Sequence, residues 1–441
     1  MTAKKTAALM TLGCRLNQAD SALLSDRLRR IGFEIVSTDA PSSPNLIVVN
    51  SCAVTAVAAK KSRQALKAIR GENPQSFIVM TGCSADVDYK ELNKLDDCDL
   101  VLTNEQKKEI EHILPRYLAY LTPDTATGDH KSKDFDPVFR EQAETFFPFK
   151  SRAILKIQEG CENFCTYCIV PYARGKERSR DLEETVNDFR QLAEADFGEI
   201  VLSGVNICNY NCGGTDLVGL IERLLEIPGN YRIRLSSTEP GPILPELIRC
   251  MKRHSDRICA FLHLPLQNGS DGILKAMGRK YTTAEYAGFV EMARKEIPHI
   301  HIGTDLIVGF PGETAANFKE TCAFLEKIGF ANIHVFPFSP RKGTPAENMP
   351  GRVTGPELDA RLERIREIKA ASSKAFVNDM IGQNETVLLE SRRHNGVCEG
   401  WSGNYIKTRF AGADLPDRSL VKVIMRKVLS DGAVAAEVLK D

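Results

Sequence analysis

Three cysteines stand close together in the motif CENFCTYC, in a C-x3-C-x2-C spacing: Cys161, Cys165 and Cys168. Thiolates suit iron–sulfur clusters, and a cubane cluster normally takes four of them. Because this motif supplies three, one iron would keep the open position that a metal site needs to do chemistry. No histidine lies near the motif, which argues against a zinc finger. Three buried structural cysteines are the alternative, and the spacing disfavours them.

A second set of cysteines follows predicted strands near the N-terminus. Alternating strand and helix patterns predict a small parallel α/β sheet with strands at 7–12, 46–52, 77–83 and 99–103. Cys14, Cys52 and Cys83 each come at the carboxyl end of a different strand. Ligands of open parallel sheets bind outside those ends. Any one of these cysteines alone is more often structural, but three at equivalent positions favour a second cluster, again with three protein ligands.

The central part of the chain predicts a partial barrel. Residues 121–151 are polar and interrupted by prolines, which indicates a linker between domains. From residue 152 onward a strand–helix unit repeats, with strands at 153–158, 199–203, 232–236, 261–266, 304–308 and 334–338. Six units are fewer than the eight of a closed barrel, so we expect a partial (β/α)6 barrel over 152–380. The CENFCTYC motif then lies on the carboxyl face, where such barrels carry their active sites.

Polar residues at the ends of these strands form a candidate cofactor site. Hydroxyls and carboxylates there can hydrogen-bond a ribose or an ammonium group, and a glycine permits close approach of a cofactor. Asp305 lies inside the fifth strand and belongs to the same predicted ring of polar groups. Together with the aromatic residue before the third cysteine, the candidate cofactor residues are Tyr167, Ser203, Gly204, Ser236, Ser237, Glu239 and Gln267.

The C-terminal part predicts a different fold. A helix signalled by a capping pattern covers 353–374, and after Gly382 short strands alternate with Gly and Asp turns. We expect a small antiparallel β-barrel over 381–441. Aromatic and basic side chains in it could combine base stacking with phosphate contact, and a basic stretch follows the cysteine motif. The candidate RNA-binding residues are Lys176, Arg178, Arg180, Arg392, Arg393, Trp401, Lys407 and Arg409.

Composition restricts the classes of function. The 441 residues are 43% hydrophobic and 26% charged, which is typical of a globular protein with two or three domains. The formal net charge is zero, so a nucleic-acid partner would need a local basic patch. The 13 cysteines are too few for a disulfide scaffold, and we expect a reducing cytoplasm. The N-terminus lacks a signal-peptide core, and no apolar run is long enough to span a bilayer.

The order of these parts resembles the radical-SAM methylthiotransferases, and the resemblance covers nearly the whole chain. The motifs TLGCRLNQADS, NSCAVT, KIQEGCENFCTYCIVPYARGKERSR, RLSSTEP and HLPLQNGSD look most like the branch that acts on threonylcarbamoyladenosine in tRNA. Two features depart from the pattern. Asn268 stands where the family usually has serine, and Cys208 and Cys212 fall where no ligand is expected.

The resemblance implies an N-terminal cysteine domain over 1–120, a radical-SAM barrel and a C-terminal RNA-binding TRAM barrel. It implies two 4Fe–4S clusters, one on Cys161, Cys165 and Cys168 for SAM cleavage and an auxiliary one on Cys14, Cys52 and Cys83 that delivers sulfur. Two SAM molecules would serve each turnover, one for the radical and one for the methyl group. The implied partners are the tRNA anticodon stem-loop, an electron donor such as a flavodoxin or ferredoxin, and a sulfur donor.

Three alternatives remain open at this point. Relatives within the family modify isopentenyladenosine or an aspartate of a ribosomal protein. From a different class, a two-cluster electron carrier or redox sensor would also explain six cysteines. Such a carrier does not account for the polar strand ends or the terminal barrel.

Overall fold

The computed structural model describes residues 5–38, 42–120, 138–139, 151–392, 396–412 and 415–439. An N-terminal sheet of five parallel strands has the order β2-β1-β3-β4-β5. Its strands are β1 (Lys5–Thr11), β2 (Phe33–Val36), β3 (Leu46–Ser51), β4 (Phe77–Gly82) and β5 (Leu100–Val101). Its helices are α1 (Arg15–Arg30), α2 (Ala56–Glu72), α3 (Cys83–Val87), α4 (Tyr89–Leu92) and α5 (Ile110–Tyr120), with a 3-10 turn at Gln106–Glu109 before α5.

The parallel N-terminal sheet is confirmed, with one strand more than the sequence predicted. Every residue of β3 is buried, as expected for a central parallel strand covered on both faces. The additional strand is β2, at the edge of the sheet, and its four residues were too short a pattern to recognise. The strand order reverses between β1 and β3, which is the switch point where ligands of such sheets bind.

The central part forms an open barrel of six parallel strands. They are β7 (Arg152–Lys156), β10 (Glu199–Ser203), β13 (Arg232–Leu235), β14 (Phe261–His263), β15 (His301–Val308) and β16 (Asn332–Pro337). These strands form two sheets, with the orders β13-β10-β7 and β14-β15-β16. A parallel bridge between Ser237 and His263 joins the two sheets. Among the described residues β7 and β16 are the outer strands of these two sheets, so the predicted partial barrel is confirmed.

The helices of the central part lie between these strands. They are α6 (Val170–Arg174), α7 (Leu182–Glu194), α8 (Leu217–Leu225), α9 (Leu244–Arg253), α10 (Asp271–Ala276), α11 (Thr283–Glu296), α12 (Ala315–Ile328) and α13 (Gly355–Asp379). Five short strands accompany them: β6 (Val138–Phe139), β8 (Gln158–Glu159), β9 (Arg178–Arg180), β11 (Asn211–Cys212) and β12 (Thr215–Asp216). Apart from β6 and residue 151, the predicted linker lies outside the described residues. In the part of the chain that is described, no helix is both long and apolar enough to cross a membrane.

The C-terminal strands close into a barrel in the order β17-β18-β19-β21-β20. They are β17 (Asn384–Arg392), β18 (Val397–Ser402), β19 (Lys407–Ala411), β20 (Leu420–Val428) and β21 (Val434–Val438). Four of the strand pairs are antiparallel, and one parallel pair, β19 with β21, completes the closure. Closure removes the exposed strand edges of so small a sheet.

Glu199 joins this terminal barrel to the amino-terminal end of the central barrel. The fully buried carboxylate accepts hydrogen bonds from Arg232 and Arg234 at 2.7 Å and pairs with Arg152 at 2.9 Å. Arg232 also donates to the carbonyl oxygens of Thr386 and Trp401, at 2.6 and 2.9 Å. Burial alone would raise the pKa of Glu199, but the three guanidinium groups hold it well below its ordinary value. The two barrels therefore share one buried charge network.

We expect Glu199→Ala to destabilise the chain by about 3–5 kcal/mol, because it leaves buried guanidinium groups without a counter-charge. Urea denaturation at pH 7 measures the loss. Glu390→Ala is the control: Glu390 pairs only with Arg152 in the described contacts, at a partly exposed site, so its loss should cost about 1 kcal/mol or less. Since the folded pKa of Glu199 is depressed, its contribution is present above the unfolded pKa and declines as the solution is acidified. Equal effects of the two substitutions would contradict this account.

Candidate active site at the carboxyl end of the barrel

The three cysteines of the CENFCTYC motif line one cavity of about 320 Å³. The cavity opens at the carboxyl ends of the barrel strands, and its wall includes Glu239 after β13 and Asp305 of β15. Cys165 is buried, and Cys161 and Cys168 are partly exposed. The structure therefore brings together three thiols that one cluster could use, on the face where barrel enzymes carry their active sites.

Backbone contacts hold the loop that carries these cysteines. Gly160 adopts φ +74°, and a Cβ atom there would lie 1.8 Å from the carbonyl oxygen of Lys176. The amide of Cys161 donates to the carbonyl of Gly175 at 3.1 Å, and that of Thr166 donates to the carbonyl of Met277 at 2.9 Å. A glycine is therefore required at position 160, because any side chain would push the loop away from its partner segment.

Arg279 is a site residue that sequence reasoning missed. Its guanidinium donates to the sulfur of Cys165 at 3.3 Å and forms an ion pair with Glu239. It also donates to the hydroxyl of Tyr281 at 2.9 Å. Burial raises the pKa of Glu239, and Arg279 opposes that effect. A cation bonded to a ligand sulfur favours the thiolate and tunes a bound cluster. No local spacing could reveal this contact, since 114 residues separate Arg279 from Cys165.

The predicted cofactor residues divide into two groups. Tyr167, Ser237, Glu239 and Gln267 line the cavity. Ser203, Gly204 and Ser236 lie just behind the wall, which is formed instead by Val205, Asn206 and Ser237. After β10, β13 and β14, the polar lining residues therefore lie two to four residues beyond the strand ends.

Packing explains two residues of this region. A Cβ atom on Gly204 would lie 2.9 Å from the Cβ of Gln158, so the glycine allows close packing within the barrel. Asn268, the departure from the family pattern, donates to Glu313 at 2.9 Å and accepts from Thr321 at 3.0 Å. Asn268 is fully buried, so its amide has a structural role.

The second set of cysteines meets at the switch point of the N-terminal sheet. Gly13 packs against Cys52, whose sulfur would lie 3.0 Å from a Cβ atom at that position. Burial, with smaller contributions from charge on Cys83 and Cys14, raises the pKa of Cys52 to about 11. Cys83 is also buried, and the charge and hydrogen bond of Arg174 oppose the upward shift of its pKa. Three thiols from three strand ends therefore lie within electrostatic reach of one another.

The two cysteine sets are connected by the short helix α6. This helix begins two residues after Cys168 and ends at Arg174, which donates to Asn17 at 2.6 Å and to Asp20 at 3.1 Å. Asn104 donates to the carbonyl of Ala173 at 2.9 Å. The N-terminal sheet thus binds the same helix that continues from the CENFCTYC loop.

The N-terminal sheet also forms part of the cavity wall. Val54 and Thr55, which follow Cys52, line the cavity that contains the CENFCTYC cysteines. The amide of Ala56 donates to the hydroxyl of Ser339, beyond β16, at 2.9 Å. A molecule in the cavity would therefore touch both the barrel and the loop next to the second cysteine set.

The candidate RNA-binding residues are mostly engaged with acidic neighbours. Arg178 pairs with Glu105 at 2.6 Å, Arg180 with Asp188 at 2.6 Å, and Arg392 with Asp417 at 3.4 Å. Lys407 and Arg409 share Glu399, at 2.7 and 2.8 Å. The Trp401 ring lies 4.7 Å from that of Tyr405, between the barrels. Lys176 is exposed, and Arg393 lies outside the described residues.

Comparisons with known proteins agree with this architecture. Residues 155–325 match the radical SAM superfamily, and residues 6–103 match the uncharacterized protein family UPF0004. The chain is 35% identical to the threonylcarbamoyladenosine tRNA methylthiotransferase MtaB of Thermotoga maritima, over 98% of this chain and 96% of that protein. It is 34% identical to the tRNA-2-methylthio-N(6)-dimethylallyladenosine synthase of Moorella thermoacetica, over 88% of each chain.

Among solved structures, the radical-SAM methyltransferase TsrM of Kitasatospora setae aligns with a TM-score of 0.59 and 14% sequence identity, covering 78% of this chain and 75% of that one. Fold and sequence together define a radical-SAM enzyme, which uses a 4Fe–4S cluster and SAM. This assignment excludes the electron-carrier alternative. More narrowly, the chain belongs to the radical-SAM tRNA methylthiotransferase family.

We expect Gly160→Ala to lower the formation of 5′-deoxyadenosine from SAM by about 100-fold, because a displaced loop misplaces the reacting groups. Anaerobic SAM cleavage with a chemical reductant measures the effect. Gly175→Ala is a matched control in the same loop: Gly175 also has a positive φ, +72°, but a Cβ atom there meets no heavy atom within 4 Å. Because Gly175 has φ +72° and ψ −160°, a conformation that favours glycine, the control should lose about 1–3 kcal/mol of local stability. Equal losses of activity would show that φ, and not the contact with Lys176, makes the glycine necessary.

Proposed function

We propose that this chain is a methylthiotransferase that replaces the hydrogen at C2 of N6-threonylcarbamoyladenosine, beside the anticodon of tRNA, with a methylthio group. One observation carries the proposal: the loop after Cys52 and the CENFCTYC cysteines border the same cavity. A reaction that joins sulfur chemistry to radical chemistry needs both sites within reach of one substrate. The printed name of the Thermotoga relative supports the choice of substrate.

We assign the first cluster to Cys161, Cys165 and Cys168. Their thiols are the soft donors that iron–sulfur clusters take, and three of them leave one iron for SAM. The side chains of Ser237, Glu239 and Gln267 would hold the amino acid or ribose parts of SAM in the adjoining cavity. When bound, cluster and SAM together supply the 5′-deoxyadenosyl radical that the superfamily shares.

We assign an auxiliary cluster to Cys14, Cys52 and Cys83. Burial raises the pKa of Cys52, so its thiol stays protonated until a metal or a cation displaces the proton. Arg174, fully buried behind these cysteines, supplies a cation that favours the thiolate of Cys83. These residues therefore fit an anionic iron–sulfur group. This cluster would deliver sulfur, and a second SAM molecule would provide the methyl group.

The other parts of the chain receive roles from these assignments. Residues 1–120 would form the cysteine domain, 152–380 the radical-SAM domain and 381–441 the RNA-binding domain, with 121–151 as the linker. Arg279 orients Glu239 and the sulfur of Cys165, and Val54 forms part of the cavity wall on the side of the N-terminal sheet. The proposed partners are the anticodon stem-loop of tRNA, an electron donor such as a flavodoxin or ferredoxin, and a sulfur donor, acting in the cytoplasm.

The two-cluster assignment predicts about eight irons in the anaerobically reconstituted chain. Replacing Cys14, Cys52 and Cys83 together by Ala should remove about half of this iron while SAM cleavage continues, because the barrel cysteines remain. Iron analysis and 5′-deoxyadenosine formation measure the two effects. Circular dichroism shows whether the variant is folded. A folded variant that keeps full methylthiolation would disprove the auxiliary site.

The substrate assignment is tested with three synthetic anticodon stem-loops that differ only at the target base. One carries adenosine, one N6-dimethylallyladenosine and one N6-threonylcarbamoyladenosine. We expect methylthiolation of the threonylcarbamoyl loop at a kcat/KM at least about 100-fold above that of the other two, since polar groups on the protein are left unpaired by the wrong base. Mass spectrometry of the digested RNA identifies the product. Faster modification of the dimethylallyl loop would instead assign the chain to the branch that acts on dimethylallyladenosine.

A further inference from the structure

One group of polar side chains lies inside the barrel next to the cavity. Asp305 of β15 is directly opposite His334 of β16 in the parallel register. Its carboxylate oxygens lie 3.1 Å from Nε2 of His263 and 3.4 Å from Nδ1 of His334. We call these three residues the lumen triad. They come from three neighbouring strands, so their positions are set by the barrel itself.

The strands make room for this triad with a glycine. Gly303 pairs with His263, and a Cβ atom there would lie 3.3 Å from the imidazoles of both His263 and His301. A larger residue would crowd both histidines. His301 belongs to the layer below, where its ring lies 5.0 Å from that of Phe261. The triad therefore occupies its own layer between the closed base of the barrel and the cavity.

The triad is continuous with the cavity that holds the CENFCTYC cysteines. Asp305, Ile307 and Phe336 all line that cavity. Phe336 is two residues after His334 on the same face of β16, and it is 40% exposed. The side chain of His334 is 51% exposed. Phe336 and His334 thus lie on one face of the outer strand, Phe336 in the cavity wall and His334 next to Asp305, which belongs to the same wall.

The electrostatics of the triad favour a ligand that carries hydrogen-bond donors. Burial would raise the pKa of Asp305, but hydrogen bonds from the two imidazoles hold it well below its ordinary value, so the carboxylate stays ionised. His334 uses Nδ1 toward Asp305, which leaves Nε2 for another partner. The carboxylate can accept one further hydrogen bond beside it. The triad therefore presents an acceptor and an imidazole nitrogen next to each other.

We propose that the lumen triad recognises the threonylcarbamoyl substituent of the target base, while Phe336 stacks on the purine. This inference rests on the proposed function and names the residues that select its substrate. The substituent carries ureido N–H groups and a hydroxyl, which match Asp305 and Nε2 of His334 as acceptors, because His334 already donates through Nδ1 to Asp305. A dimethylallyl group has none of these.

The selectivity follows from the cost of unpaired polar groups. An apolar substituent would displace water from Asp305 and His334 without replacing the hydrogen bonds that this water makes. Leaving a polar group buried and unpaired in this way costs about 1–3 kcal/mol or more of binding free energy. Sites that hydrogen-bond a substrate reject the analogue lacking the group far better than apolar pockets reject an extra methylene. The triad therefore discriminates chiefly against the apolar base.

The test compares His334→Leu with the wild-type chain on the threonylcarbamoyl and dimethylallyl stem-loops. We expect kcat/KM for the threonylcarbamoyl loop to fall about 10–100-fold, mainly through KM, because binding contacts are lost. The rate on the dimethylallyl loop should stay constant or rise. His334→Gln, which keeps a hydrogen-bonding side chain, should recover part of the loss. Because two different variants of His334 are compared, a folding defect in one of them does not decide the outcome.

His254→Leu is the matched control. His254 pairs with a carboxylate in the same way, with Nε2 2.8 Å from Glu222, but on the helices outside the barrel. It should change neither loop's rate. If wild type prefers the threonylcarbamoyl loop and His334→Leu keeps that preference in full, the present inference fails and the proposed function stands. Equal losses on both loops would also overturn the inference. If wild type prefers the dimethylallyl loop, both proposals fail.

Discussion

The arrangement of the active site depends on one buried carboxylate, Asp20. It accepts hydrogen bonds from Lys107 at 2.7 Å and from Lys156 and Arg174 at 3.1 Å, all of them buried. Burial would raise the pKa of Asp20, but the three cations hold it well below its ordinary value. Because isolated charges in such a place are very costly, the N-terminal sheet and the barrel meet in the orientation that pairs them.

This ion pairing fixes the distance between the two cysteine sets. Asp20 is on α1, the helix that begins one residue after Cys14, and Arg174 is on α6, which follows Cys168. A buried ion pair adds little net stability over an apolar contact, yet breaking it is expensive, so its effect is on geometry. The two cysteine sets are therefore held by two helices, α1 and α6, that are bonded to each other. The proposed delivery of sulfur and the radical step at one base would require such a fixed spacing.

Local patterns predicted the parts of the site that are local in the chain. The spacing of Cys161, Cys165 and Cys168 lies in eight residues, and parallel strands necessarily bring Cys14, Cys52 and Cys83 to one edge. Contacts between distant residues left no such pattern: Arg174 and Asp20 are 154 residues apart. Asp305 was recognised as a polar strand residue, but its two histidines became visible only through the register of β14, β15 and β16. The partner of a charge depends on tertiary packing, which composition does not encode.

The same limit applies to the basic residues that the sequence proposes for RNA contact. In the described structure Arg178, Arg180 and Arg409 each pair with an acidic neighbour, so their charges attract phosphate weakly. Exposed aromatic rings are distributed differently. Phe164 and Tyr172, 53% and 50% exposed, meet edge to face at 5.9 Å beside the CENFCTYC loop, and Phe336 lies in the cavity wall. Unpaired bases stack on such rings, whereas duplex backbones do not. For the proposed tRNA partner of a chain of zero net charge, this distribution favours stacking of splayed loop bases over capture of the phosphate backbone.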